Sequence, residues 1–462
     1  MNAVLPRNHL PRRRWASFAV VALAIASLVI GGWRLGGGAN VIRIGAVFPL
    51  TSNAADLVGP ELAGVQIAVD LVNADGGVGG RRVELEVRDL RSRADAETVM
   101  SGLREAGVEI VIGAYDSELS IAASDASNRA GLLYWEAGAV ADRLTGRGLP
   151  MVFRVGASGA NLGSNSATFA ATELAGRLGK AVGELRIALA VADDEYANSV
   201  ADAAEATARA EGLPVVLRRS YNLALPNWPA VMVDLAAARP DVIILASHIP
   251  DGIAFRRAMV ESGLRVGALI GSTMAECDPD FAGELGADAI GIFASDRPTA
   301  GFRPAALRPE AADAYARFAT AWARVAAETG GTGDASGVGD RYAQADHVIH
   351  GPAEDATAEE SEEALSGFTA AWALVRHVLP AALERTGGLD AASVAAAART
   401  IDLPDGALPN GAGLRFSSAP GTLGQNERAA AVMWQWTAER TYSFVWPPTY
   451  ATADVAFVPL DR

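Results

Sequence analysis

Few residues of this 462-residue chain combine a reactive type with a chemically useful spacing. His347 and His350 stand three positions apart, which on a helix would aim two imidazoles at one metal ion. No third ligand converges on them, and the acidic, glycine-rich stretch around them reads as solvated surface. His377 falls on an apolar helical pattern and reads as a packed or surface residue. Cys277 is the single cysteine, so neither an internal disulfide nor a cysteine-rich metal centre can form, and no histidine is paired with it. Nucleophile-elbow, zinc-protease and P-loop patterns do not occur. Carboxylates for acid–base work could come from any of 54 acidic residues, and nothing marks one pair. The residues point away from an enzyme, and from any cofactor or metal.

Binding is better provided for. In VIGAYDSELSIAAS (111–124) a strand pattern ends at Gly113 and a helical one opens near Ser117. That places Tyr115 and Ser117 at the carboxyl edge of a sheet, where open α/β sheets take their ligands. A serine hydroxyl and the free N–H groups of a first helical turn can hold a carboxylate; the plainer role for Ser117 is to cap its helix. One strand further on, LLYWEAGAVADRLTGRG (132–148) sets Trp135 and Glu136 at the same edge. An aromatic beside a carboxylate suits a ligand with an apolar part and a cationic group. Equally, Trp135 could close the core while Glu136 faces water. The stretch NADGGVGGRR (73–82) resembles a phosphate cradle, but it follows a helix and precedes a strand, the reverse of a dinucleotide fingerprint. Arg82 also stands where the third glycine would be, so these glycines are expected to end a helix and turn the chain.

The elements that must hold these residues alternate in kind. VIRIGAVF (41–48) reads as a buried strand, PELAGVQIAVDLVN (60–73) as a helix, and VELEV as a strand. A helix over 94–106, strand VEIVIGAY, a helix over 117–130 and strand LLYW follow. A second series occupies 186–294: RIALAVA, a helix over 196–211, PVVLRRSY, a helix over 229–238, DVIILAS, a helix over 251–262 and ALIGS. Alternation of this kind predicts parallel sheets covered by helices. The composition of 330–366, including EDATAEESEE, suggests a mobile acidic insert before a helix resumes at Phe368.

Charge and the amino terminus set the compartment. The first 40 residues carry five arginines and no acid, leaving 34 basic against 54 acidic residues in the body. So acidic a body excludes nucleic acid as a partner. After Arg12–Arg14, residues 15–33 (WASFAVVALAIASLVIGGW) contain no charge, the pattern of an export signal that is also long enough for an anchor. Cleavage before Asn40 and retention both remain open, and in either case the body faces outside the cytoplasm.

In order, IRIGAVFPLT, VQIAVDLVNADGGVGGRRVELEVRD, VIGAYDSELSIAAS, GLLYWEAGAVADRLTGRG, RPDVIILASHIPDGIAFRRAMVESGL, GFTAAWALVRHVLPAALERTGG and VWPPTYATA resemble the extracytoplasmic solute-binding proteins of ABC transporters, in the branched-chain amino acid (Leu/Ile/Val-binding) group. The resemblance covers most of the chain after residue 40. It implies a type I periplasmic binding fold: two Rossmann-like lobes joined by three crossover strands at 151–158, 291–298 and 413–418, with the ligand in the cleft. Lobe 1 would be 41–155 with 295–412, and lobe 2 would be 156–294 with 413–462. It further implies hinge closure over a small-molecule solute, delivery to an inner-membrane permease, a monomeric state and a periplasmic location, with residues 15–33 as the only membrane contact if retained. The alternative is a membrane-anchored sensory protein of the same fold.

Carried over by position, Ser117 matches a serine that binds the ligand carboxylate, flanked by Tyr115. Gly138 matches a backbone contact, with Ala139 beside it, and Val140 replaces a threonine hydroxyl. Tyr196 matches an aromatic that covers the ligand, and His248 stands where tyrosine is frequent. An acid expected near 271–273 is missing, with Glu276 displaced from it. Asp116, Glu118 and Glu136 add negative charge where a carboxylate would sit. The expected ligand is therefore a small polar or cationic solute (an amide, amine or related compound) with Trp135 and Glu136 among its contacts.

Overall fold

Short apolar runs become the strands of two sheets in the computed structural model, which describes residues 41–52, 55–272, 279–299, 301–329, 361–439 and 441–460. IVIG (β3, Ile110–Gly113), VIILA (β8, Val242–Ala246) and IALAVA (β6, Ile187–Ala192) are buried along their whole length. Strands covered by helices on both faces need no polar alternation, and these have none.

The five-stranded sheet runs β2-β1-β3-β4-β5, with β1 at Val41–Phe48, β2 at Arg82–Asp89, β4 at Leu133–Glu136 and β5 at Val152–Arg154. The seven-stranded sheet begins β7-β6-β8-β9-β10, with β7 at Val215–Tyr221, β9 at Ala268–Ser272 and β10 at Phe293–Asp296. Both series share one relative order, the second strand lying outside the first. The second sheet is extended by antiparallel β13 (Val432–Ala438) and β14 (Thr441–Trp446). In such a sheet the order reverses between the first and third strands, and ligands bind beyond the carboxyl ends there. Those switch points are β1/β3 in one lobe and β6/β8 in the other.

The first lobe is covered by α1 (Ala55–Ala74), α2 (Ala96–Glu105) and α3 (Ser117–Ala130). The second carries α4 (Gly159–Phe169), α5 (Glu195–Ala210), α6 (Trp228–Ala238) and α7 (Ile249–Ser262). The chain then returns to the first lobe with α8 (Pro309–Thr329) and α9 (Glu362–Trp372), both packed on α1. The α1/α9 contact is backbone to backbone. A Cβ on Gly64 would sit 2.0 Å from the Ala364 carbonyl oxygen, and one on Gly367 would sit 2.1 Å from that of Glu61.

The glycines at 76–80 form the expected turn. Gly77 N–H closes on the Val72 carbonyl at 2.9 Å, and Gly76, Gly77, Gly79 and Gly80 all take positive φ. Two expectations need correction. Residues 361–366, assigned to the acidic insert, are the start of α9: Ser361 caps it, and Glu362 and Glu363 are buried against α1 and Arg297. The remainder of that insert, 330–360, lies outside the described residues, as do His347, His350, Cys277, Glu276 and residues 15–33. Residues 413–418, expected to be the third crossing, instead include β12 (Leu414–Arg415), paired with β11 (Asp402–Leu403). The chain then passes beside the end of β5, with Asn426 N–H donating to the Arg154 carbonyl at 3.0 Å, and joins the seven-stranded sheet only at Val432.

Candidate functional site

The candidate site lies where the two switch points meet. On the first lobe the chain leaves β3 through Tyr115, a non-glycine residue with φ of 79°, into Asp116 and α3. Asp116, not Ser117, caps that helix: its carboxylate accepts the Leu119 N–H at 2.8 Å. The Ser117 hydroxyl, buried, accepts the Ala141 N–H at 3.2 Å and so ties α3 to the loop after β4.

That loop, 137–141, is almost wholly satisfied from within. The Glu136 carboxylate accepts N–H bonds from Ala137, Gly138 and Ala139 at 3.1, 2.9 and 2.8 Å, and the Tyr134 hydroxyl at 3.0 Å. Burial raises its carboxyl above the ordinary value, and these donors pull it back. The Gly138 carbonyl accepts from Arg297 Nη1 at 2.8 Å. The Ala139 and Ala141 carbonyls accept from Arg154 Nη1 at 3.2 and 2.7 Å, and burial lowers the Arg154 guanidinium to about 10. Trp135 is core: its indole donates to the Ala370 carbonyl at 2.8 Å, and its ring packs 5.9 Å from Phe153 and 5.3 Å from Phe416. Trp135 and Glu136 are therefore fully buried and bonded within the first lobe, which corrects their expected role as solute contacts. Period-two alternation does not apply to a strand buried on both faces, so the sequence did not show which way they turn.

On the second lobe, Asp194 caps α5 by accepting the Ala197 N–H at 2.8 Å, and its other oxygen lies 3.0 Å from His248 Nε2. His248 precedes α7, its N–H bonded to Asp251 Oδ1 at 2.9 Å, while the Tyr221 hydroxyl donates to Asp251 at 2.5 Å. Burial disfavours charge on His248, but the Asp194 hydrogen bond and charge outweigh it, with Asp251 and then Asp116 of the opposite lobe adding, and the imidazole is raised. Burial likewise works against ionised Asp194, and the His248 bond and charge overcome it to lower that carboxyl. The Tyr196 ring stands 5.2 Å from the His248 ring, its hydroxyl 3.0 Å from Ser272.

The lobes touch beside these groups. Arg143 pairs with Glu195 at 3.0 Å, and the Asp142 N–H donates to the Ser199 hydroxyl at 3.0 Å. The structure thus ties Ser117 to the loop that holds Gly138, Ala139 and Val140, sets Tyr196 beside His248 on the other lobe, and brings Asp116, next to Tyr115 and Ser117, close enough for its charge to act on His248. Sequence reasoning missed Asp194 as a cleft group, although an aspartate just before a helical pattern is a cap signal. It also missed Arg297, Glu362 and Glu61, whose partners are distant in the chain. Among the described residues no group of acids, histidines or cysteines could hold a metal ion, and no helix is long and apolar enough to cross a membrane.

Residues 41–354 match the model of a family described as periplasmic binding protein. The chain belongs to the periplasmic binding protein family. The Leu/Ile/Val-binding protein homolog 8 of Brucella abortus is 29% identical over 422 residues, 90% of this chain and 93% of that one. Among solved structures, an ABC transporter substrate-binding protein from Desulfitobacterium hafniense, in complex with Leu, superposes with a TM-score of 0.64 at 22% identity, covering 88% of this chain and all of its own. A solute-binding protein from R. palustris in complex with benzoate gives 0.62 at 14% identity, over 90% and 98% of the two chains. These likenesses bear out the expected two-lobed α/β fold, and membership makes the protein an extracytoplasmic solute-binding protein.

Proposed function

We propose that the protein is the solute receptor of an ABC importer, closing its lobes over a small polar solute and presenting the closed form to an inner-membrane permease. The observation that carries this is the seam beside the switch points. The start of α5 lies on the segment after β4 through Arg143–Glu195 and Asp142–Ser199, and the charge of Asp116, beside Ser117, reaches His248 across this seam. A solute favours this arrangement only by binding the closed state better than the open one.

Chemistry at the walls narrows the solute. Asp116 and Asp194 place carboxylates on opposite walls, Val140 offers no hydroxyl, and the Gly138 carbonyl already accepts from Arg297. An amine, amide or amino acid suits such walls better than a simple anion. A thermal-shift screen of amino acids, amides, amines and aromatic acids tests this. A binder at 100 times its Kd adds about 2.7 kcal/mol. Shifts from aromatic acids alone would overturn the solute class, and turnover of a bound compound would overturn the receptor reading. Export through residues 15–33 belongs to the same proposal, and sequencing the mature amino terminus decides between removal and anchoring.

A further inference from the structure

Glu61, on α1, is 0% exposed, and neither carboxylate oxygen has a hydrogen-bond partner. Its position is set by the α1/α9 backbone contact, in which Gly367 admits the Glu61 carbonyl and Cγ. The carboxylate lies flat on Gly138: a Cβ built there would be 2.7 Å from both Oε1 and Oε2, and 3.0 Å from the Tyr115 ring. A side chain at position 138 would have to push the Glu61 carboxylate aside, so glycine there allows the close contact.

The charges facing Glu61 come from every element around it. The β4 strand supplies Glu136 and the Tyr134 phenol, the segment after β3 supplies the Tyr115 phenol, α9 supplies Glu362 and Glu363, and the segment after β10 supplies Arg297. Arg297 is committed elsewhere. Its Nε donates to Glu362 at 2.6 Å, its Nη1 to the Gly138 carbonyl at 2.8 Å and to the Ser366 hydroxyl at 3.3 Å, and its Nη2 lies 2.5 Å from Glu362. A carboxylate with no donor, enclosed among three other glutamates, is far costlier ionised than neutral.

We propose that Glu61 is a proton-binding site of the hinge, neutral in the closed molecule, whose ionisation draws Arg297 off Gly138 and Glu362 and loosens the second crossing. Burial first, and then the charge of Glu136, hold its carboxyl well above the usual range, with Arg297 opposing. Arg297 follows β10 of the seven-stranded sheet directly, while all three of its side-chain partners belong to the first lobe. A second negative charge at Glu61 would compete for this cation at the point where the chain passes between lobes.

Two measurements test the proposal on the full extracytoplasmic protein without solute. Infrared difference spectra should show a protonated carboxyl at neutral pH that is lost on alkaline titration and absent from Glu61→Gln. Small-angle scattering from about pH 6 to about pH 10 should show the wild type expanding as pH rises, while Glu61→Gln, which cannot ionise, stays compact. A spectrum without a Glu61-dependent band, or identical scattering profiles for the two proteins, would overturn it. If Glu61→Gln does not fold, 13C-glutamate-labelled wild type answers the same question. A carboxyl correlated with Gly138 and titrating above neutrality supports the site, and one titrating in the ordinary acid range refutes it.

Discussion

Two acid clusters stand near the cleft, one inside the first lobe and one on the rim of the second, and they resolve the same electrostatic problem differently. On the rim, each acid has a matched donor. Asp194 is lowered because its ionised form accepts from Ala197 and His248. Asp251 also has donors in Tyr221 and the His248 N–H, yet it is 5% exposed and burial still raises it. In the interior, Glu136 has four donors, Glu362 has Arg297 and Glu61 has none. Burial alone does not decide whether a carboxylate is ionised. The donors that folding happens to aim at it, and the depth at which they do so, decide together.

The largest expected effect comes from removing the interior cation. Arg297→Ala takes the buried guanidinium away from Glu362 and the Gly138 carbonyl, and chemical denaturation should show a loss of about 3–5 kcal/mol. A loss under about 1 kcal/mol would mean that this pair behaves like an exposed one, and the contrast between the clusters would collapse.

Gly138→Ala drives a methyl into the Glu61 carboxylate and should cost about 1–3 kcal/mol. The same change in a Glu61→Ala background should cost much less, so a double-mutant cycle reads their coupling directly. Additive losses would show that the carboxylate does not press on position 138.

On the rim, His248→Gln removes the charged partner of Asp194 and should cost on the order of 1–3 kcal/mol below neutrality. Because the folded-state value of His248 is raised, its contribution is complete below the ordinary imidazole value of 6.5 and is lost as pH rises through the higher folded value. Stability of the wild type should fall across that window, and that of His248→Gln should fall less, by the share that His248 supplies. Glu61 has the same sign: relative to the unfolded chain its contribution is full below 4.5 and is lost as pH rises through its raised value. Melts of the two single variants against pH separate the two sources.

The smallest effect belongs to the seam. Arg143 and Glu195 have side chains 57% and 36% exposed, so Arg143→Ala should change stability by no more than about 1 kcal/mol, less at high salt. Its effect should appear in solute dissociation, where opening the seam is part of the step; an unchanged dissociation rate would remove the seam from the closure mechanism.

Much of the frame was legible in the chain. The β3 and α3 patterns placed Tyr115 and Ser117 at a sheet edge, and the glycines at 76–80 read as a turn because a helix precedes them and a strand follows. Side-chain direction at Trp135 and Glu136 was not legible, since a four-residue strand buried throughout carries no alternation to read. Residues 361–366 misled because consecutive glutamates look solvated, and only the arrival of Arg297 makes Glu362 a core residue.

By itself the sequence determined local matters: the alternation of strands and helices, the caps and turns, the acidic body and the absence of catalytic motifs. These depend on neighbours a few positions away, through backbone preference and periodicity. The tertiary structure decided which charges are paired. Arg297 finds the Gly138 carbonyl 159 residues distant, Trp135 finds the Ala370 carbonyl 235 residues distant, and Glu61 finds no donor at all. Hydrogen-bond satisfaction in a buried site is set by long-range packing, and no window of sequence contains both partners.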